Sequence, residues 1–292
     1  MTLTLVQRTR TLPGRTTWRA LGVLDYLGIV VVTVVVLAAV IGPLVAPNVN
    51  QSNILASLEP PSAAHWLGTD EQGRDVAWRI VVGTRTTLGA AAGVVAGYSL
   101  LGVIVATIAV ITPRWAGDLV MRGADVVLAF PSLIFALLVA ALFGSSVETA
   151  MIALIATGWA LTARLLAGIM REKLQEPFVE GARTLGASKT RLMLRHVLPN
   201  SLPALRVKWA GDLGVTILLI GGLSFVGAGA QPPSAEWGAM VIAAQSEMQT
   251  GWWAALFPGL AIAITSMGFA LFGDLLERID SGAANSSLGG FL

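Results

Sequence analysis

Six stretches of this sequence are apolar over roughly the length a bilayer demands, and that feature restricts the chain to a bundle of membrane helices. They run over about 26–46, 84–111, 126–143, 147–168, 210–230 and 253–273. A spanning helix needs about 20 apolar residues. In lipid every backbone N–H and C=O must find a partner inside the protein, and helices achieve this within each segment. Only 12% of residues are charged and mean hydropathy is +0.74, against about 25% charged in soluble domains. The expected fold class is therefore all-α, an integral membrane protein with six transmembrane helices. The sequence has no cysteine, which excludes disulfides and thiolate metal sites.

The first apolar run follows a basic arm carrying Arg8, Arg10, Arg15 and Arg19. Such an arrangement also opens a secretory signal. The run exceeds the 7–15 residues of a signal's apolar region, so it is expected to stay as an uncleaved first span. Six spans put both termini on one side. Of the 19 basic residues, all but Arg74, Arg79 and Arg85 fall in the arm, the loop near 112–125, the stretch 164–208 and the tail. Basic residues collect on the cytosolic side, which predicts cytosolic termini. The outer segment 231–252 has no Lys or Arg. Trp237, Trp252 and Trp253 fit an aromatic belt there.

The spans carry little charge. Asp125, Arg164, Asp212 and Asp274 are expected near cytosolic helix ends, where interfacial water reaches them. The absence of a clear mid-bilayer charge weakens an ion-coupled carrier reading, although backbone carbonyls can also bind sodium. Gly89, Gly93 and Gly97 recur every fourth residue, which marks a close helix-packing face or the general abundance of Gly in membrane helices. Gly221, Gly222, Gly227 and Gly229, then Pro232 and Pro233, weaken and end the fifth span. That span is the first choice for lining a pathway, because broken helices are tolerated beside protein or water.

One polar stretch interrupts this pattern: "EGARTLGASKTRLMLRHVLPN", residues 180–200. Pro177 suits a first helical turn. Phe178, Ala182 and Leu185 then form a narrow apolar stripe. Gly186 suits the residue just past a helix end, and Ser188 an N-cap. A second short helix carries Leu192, Leu194 and Val197, and Pro199 is expected to stop it. Helices this short need a partner to be stable, so something must receive the stripe: the protein's own span ends, the membrane surface or another protein. "GARTLGASKT" is not a phosphate loop, because Ala187 and Ser188 separate the second Gly from the Lys. Nucleic acid is not expected either, since flanking spans would obstruct docking into a groove.

The stretch resembles the EAA loop of binding-protein-dependent ABC importer permeases. Glu180, Ala182, Gly186, Val197, Leu198 and Pro199 match that loop, and Gly181 replaces its first Ala. "HWLGTDEQGRD" (65–75), "LSFVGAGAQPPSAEWGAMV" (223–241), "LFPGLAI" and "FGDLLERID" resemble the dipeptide, oligopeptide and nickel permeases, and most closely their C-type second subunit. The resemblance runs from about residue 20 to Asp280. It implies a cytosolic arm at 1–20, a first span and extracytoplasmic segment at 21–83, a type I ABC importer transmembrane domain at 84–280 with its EAA loop at 176–200, and a cytosolic tail at 281–292. It also implies a bacterial inner-membrane location, and as partners a homologous permease, two cytosolic ATPases, an extracytoplasmic binding protein and membrane lipid. ATP and Mg belong to the ATPases, with no cofactor or metal on this chain. The implied coupling residues are Phe178, Glu180, Gly181, Ala182, Leu185, Gly186, Leu198 and Pro199. Glu180 either anchors the ATPase through charge-assisted bonds or only favours the helix N-terminal dipole. Arg183, Lys189, Arg191 and Arg195 either face acidic protein or lipid, or serve orientation.

The segment 65–75 is expected to launch the second span, with Thr69 and Gln72 as a capping box. His65 and His196 are expected to be structural. The implied function is a permease subunit of an ATP-driven di- or oligopeptide importer, not an enzyme. Nickel or glutathione import is the alternative within the class, and a self-contained channel or ion-coupled carrier the alternative outside it.

Overall fold

In a computed structural model the described residues are 21–288, with side chains described to residue 280. The basic arm 1–20 and the side chains of the tail 281–292 lie outside them. The described chain is helical, without a strand, as expected. The helices are α1 (Val23–Val45), α2 (Val76–Ile111), α3 (Arg114–Ala129), α4 (Ser132–Phe143), α5 (Val147–Lys173), α6 (Pro177–Thr184), α7 (Lys189–Leu192), α8 (Leu198–Ser201), α9 (Pro203–Phe225), α10 (Trp237–Ala243) and α11 (Trp253–Leu288). Five of these, α1, α2, α5, α9 and α11, are long and apolar enough to cross a membrane.

The third expected span is not one helix. Residues 126–143 divide between α3 and α4, which meet at 79°. The cause is Pro131. Its ring drives the preceding residue out of the helical region, and Phe130 duly sits at φ −89°, ψ 126°. The chain has six spans when this bent pair is counted as one.

The centre of the bundle is α2 packed on α5. A Cβ on Gly93 would lie 2.7 Å from Met151, and one on Gly97 2.6 Å from Ile155. The glycine face therefore serves packing within the chain, and Gly89, with open space beside it, takes no part. Val94, Leu154, Ile217, Ile220 and Trp237 join α2, α5, α9 and α10 in one buried cluster. α1 lies at the periphery against α11 and α2, and buried Asp25 pairs with Arg278.

The end of the bundle formed by 46–75 and 226–252 is a compact cap. Asp70 accepts from Gln72 N–H at 2.9 Å, Arg74 N–H at 3.0 Å and Arg74 Nε at 2.7 Å. Thr69 and Gln72 do not cap α2. Asp75 does, accepting from Trp78 N–H at 3.0 Å, and His65 Nδ1 lies 2.9 Å from Asp75 Oδ2. Thr69 is instead buried, donating to the Ala56 carbonyl at 2.5 Å. Trp237 and Trp253 do not form a belt. Both are buried, and their indole N–H groups donate at 3.0 Å to the carbonyls of Ile80 and Thr69. Of the three, only Trp252 stays substantially exposed.

Candidate functional site

At the opposite end of the bundle the stretch 174–203 folds over the ends of α2, α5 and α9. Pro177 occupies the first turn of α6, and Gly186 ends the turn after it at φ +84°. The Gly186 N–H donates to the Arg183 carbonyl at 3.0 Å, and the Ala187 N–H to the Ala182 carbonyl at 3.2 Å. This double closure needs a residue in the left-handed region, which glycine enters without penalty. Ser188 then caps α7, accepting from the Arg191 N–H at 3.3 Å.

The apolar stripe read from the sequence divides in two. Val179, which the sequence reading passed over, is the buried residue of α6 at 0% exposure. Ala182, one turn on, packs beside the same cluster. Phe178 and Leu185 face outward, at 43% and 90% exposure. Gly181, Glu180 and Gly186 are exposed as well, and Glu180 makes no ion pair among the described residues. The signal for Val179 was available: Val179 and Ala182 are three apart, which places them on one helix face.

Val179 belongs to a second core of Leu166, Met170, Leu192, Met193, Val197 and Leu205, all nearly inaccessible to solvent. Fully burying one such side chain stabilises by about 1.5–3 kcal/mol. The hairpin is thus seated on its own span ends by one face, while Phe178 and Leu185 stay exposed among the described residues.

Pro199 does not stop the second helix. Residues Met193–Val197 form a π turn in which the Leu198 N–H donates to the Met193 carbonyl. Widening the turn just before a proline relieves the contact between its ring and the previous turn. Leu198 is partly buried and Pro199 exposed. Leu202 keeps helical angles, φ −60° and ψ −34°, and leads into α9. The helical path therefore runs from Lys189 to Phe225 with no loop. α9 ends at Gly227, φ +84°, with the Ala228 N–H donating to the Leu223 carbonyl at 2.8 Å.

This early start of α9 moves Asp212 away from the helix end. It meets Tyr98, deep in α2, and Lys208, both of which donate to its Oδ2. The Lys208 ammonium stands 5.3 Å from the Tyr98 ring centre. Asp125, on α3, pairs with Arg164 on α5, and Asp118 lies 3.6 Å from Arg171.

The described residues thus form a multi-pass helical bundle with a broken span and a hairpin anchored on one face and exposed on the other. Residues 98–279 match the family of binding-protein-dependent transport system inner membrane components. The chain is 39% identical over 246 residues to the probable D,D-dipeptide transport system permease protein DdpC of Escherichia coli K12, covering 84% of this chain and 83% of that protein. It is 34% identical over 255 residues to the dipeptide transport system permease protein DppC of Alkalihalophilus pseudofirmus, covering 87% and 84%. It is 38% identical over 219 residues to the glutathione transport system permease protein GsiD of Pectobacterium atrosepticum, covering 75% and 73%. The chain belongs to the binding-protein-dependent ABC importer permeases. It is a multi-pass membrane transport subunit, and its family associates with ATPases and binding proteins.

Proposed function

We propose that this chain is one permease half of an ATP-driven importer for small peptides. It pairs with a homologous permease. Two cytosolic ATPases, which carry ATP and Mg, dock beneath, and an extracytoplasmic binding protein delivers substrate to the cap end. Both termini and the hairpin are cytosolic in this reading, which the distribution of basic residues supports.

The observation that carries the reading is the two-faced hairpin. Val179 is buried against the chain's own spans while Phe178 and Leu185 are exposed. Phe178, Gly181, Leu185 and Gly186 enter a groove on the ATPase. Glu180 accepts a charge-assisted bond there. Ala182 supports the same helix from its inner side, and Leu198 with Pro199 sets the path into α9. Closure of the ATPases on ATP moves the hairpin, and the loop-free path through 189–225 passes that movement to the fifth span. A self-contained channel has no use for such a face. Peptide substrates are supported by the relatives, two of which are named for dipeptide transport and one for transport of glutathione, itself a tripeptide.

The test is co-purification of the tagged chain with an ATPase from its native membrane, followed by reconstitution. ATP-dependent uptake of labelled dipeptide, lost when the ATPase is omitted, is the expected result. An ATP-independent pore formed by this chain alone would overturn the reading.

A further inference from the structure

The broken third span, α2, α5 and α9 line an open cavity of about 390 Å³. This lies within the roughly 300–1,000 Å³ of small-molecule sites. Its polar lining comprises Tyr98, Ser132, Thr157, Lys208, Asp212 and Thr216. The rim includes Phe130, Leu161 and Val215, each more than half exposed, so the cavity opens on an outer face of this half.

Three features make this more than a packing defect. Ionised groups at membrane depth are costly and collect at substrate paths. Here both signs occur together, with Lys208 and Asp212 largely buried. Tyr98 and Lys208 both bond Oδ2 of Asp212, and among the described residues no hydrogen bond reaches its Oδ1. Finally, α4 begins at the cavity with Pro131 as its N-cap, which supplies no side-chain bond to the first-turn N–H groups. Broken membrane helices present such uncapped, positive ends to anionic substrate groups.

We propose that this cavity is the intramembrane contact site for the charged ends of the transported peptide. Asp212 Oδ1 receives the peptide's ammonium. Lys208 and the α4 N-terminus receive its carboxylate. In the empty state Lys208 and Asp212 neutralise one another, which spares the cost of unpaired buried charge. A zwitterion exchanges that internal pair for two intermolecular ones without changing the net charge of the site. Gly158 makes room for the arrangement, because a Cβ there would lie 2.8 Å from the Tyr98 ring.

This inference rests on the peptide-importer reading. The test uses the assembled transporter in proteoliposomes with its binding protein and labelled Ala-Ala. Peptide moved per ATP hydrolysed is expected to fall at least tenfold in Asp212→Asn and in the paired change Lys208→Met with Asp212→Leu. A ratio within twofold of the parent in the paired variant would overturn the proposal, because the apolar pair keeps similar side-chain volumes while abolishing both charges and the Asp212 acceptor of Tyr98. Should either variant fail to assemble, p-benzoylphenylalanine placed at Val215 of the otherwise unchanged chain is expected to capture labelled Ala-Ala during turnover. Absence of capture while the label is being transported also overturns it. A parent assembly that carries no dipeptide under ATP defeats the importer reading and this proposal with it, whereas normal parent transport beside a negative result defeats the proposal alone.

Discussion

Arg79 donates from Nη2 to the backbone carbonyl of Ser234 at 3.0 Å, bridging the start of α2 to the loop before α10. The same nitrogen donates to the Pro233 carbonyl at 3.1 Å, and Nη1 donates to the Val49 carbonyl at 3.2 Å. Asp70 lies 3.6 Å from Nε. One buried guanidinium thus organises three separate segments of the cap. Arg79→Met should lower stability by about 1–3 kcal/mol, because it leaves the buried carbonyls of Val49, Pro233 and Ser234 without their donor. Thermal unfolding in detergent checks this, and an unchanged midpoint would refute the role.

Gly83 gives the cap a second fixed point. A Cβ there would lie 1.9 Å from the Ala235 carbonyl oxygen, whereas Gly89 has nothing within 4 Å. Gly83→Ala should therefore destabilise, by about 1–3 kcal/mol as overpacking does. Gly89→Ala should gain up to ~1 kcal/mol from helix propensity. The two variants move the melting midpoint in opposite directions. Equal shifts would contradict the close approach.

The hairpin makes a sharper pair of predictions. Val179→Asp buries an unpaired carboxylate among Met170, Leu192 and Leu205, so expression and folding should fail. Leu185→Asp alters an exposed position. It should leave the folded subunit intact, abolish ATPase co-purification and stop uptake. Glu180→Lys should behave as Leu185→Asp does. Retained ATPase binding in both surface variants would remove the coupling role.

Features set by local chemistry were legible: the left-handed turn at Gly186, the cap at Ser188 and the apolar lengths of α1, α5 and α11. Features set by what packs nearby were not. Trp237 and Trp253 looked like belt residues because burial against the start of α2 and against the segment 46–75, respectively, leaves no periodic trace in the sequence. Val179 was missed because the inward direction of α6 depends on where α5 and α9 end. Asp212 was placed at a helix end because the apolar run begins near 210, although α9 starts at Pro203. The break at Pro131 was readable from its residue type, but continuous hydropathy on both sides outweighed it.

Pro199→Ala returns an N–H to the turn that Met193–Val197 widens. The π turn then loses its cause and can tighten to an ordinary α turn, which rotates α7 relative to α9 by up to about 100°. Stability should hold or rise, while uptake per ATP falls through misaligned hairpin docking. Measured transport equal to the parent would show that the widened turn has no mechanical role.

The loopless path from Lys189 to Phe225 has a consequence for how such a chain can vary. Hairpin and cavity are graduated on one ruler. A single residue added or removed between Pro203 and Lys208 would swing Lys208 and Asp212 about 100° around the axis, turning both charges away from Tyr98. Exposed side chains along this stretch can be exchanged, but its length cannot drift.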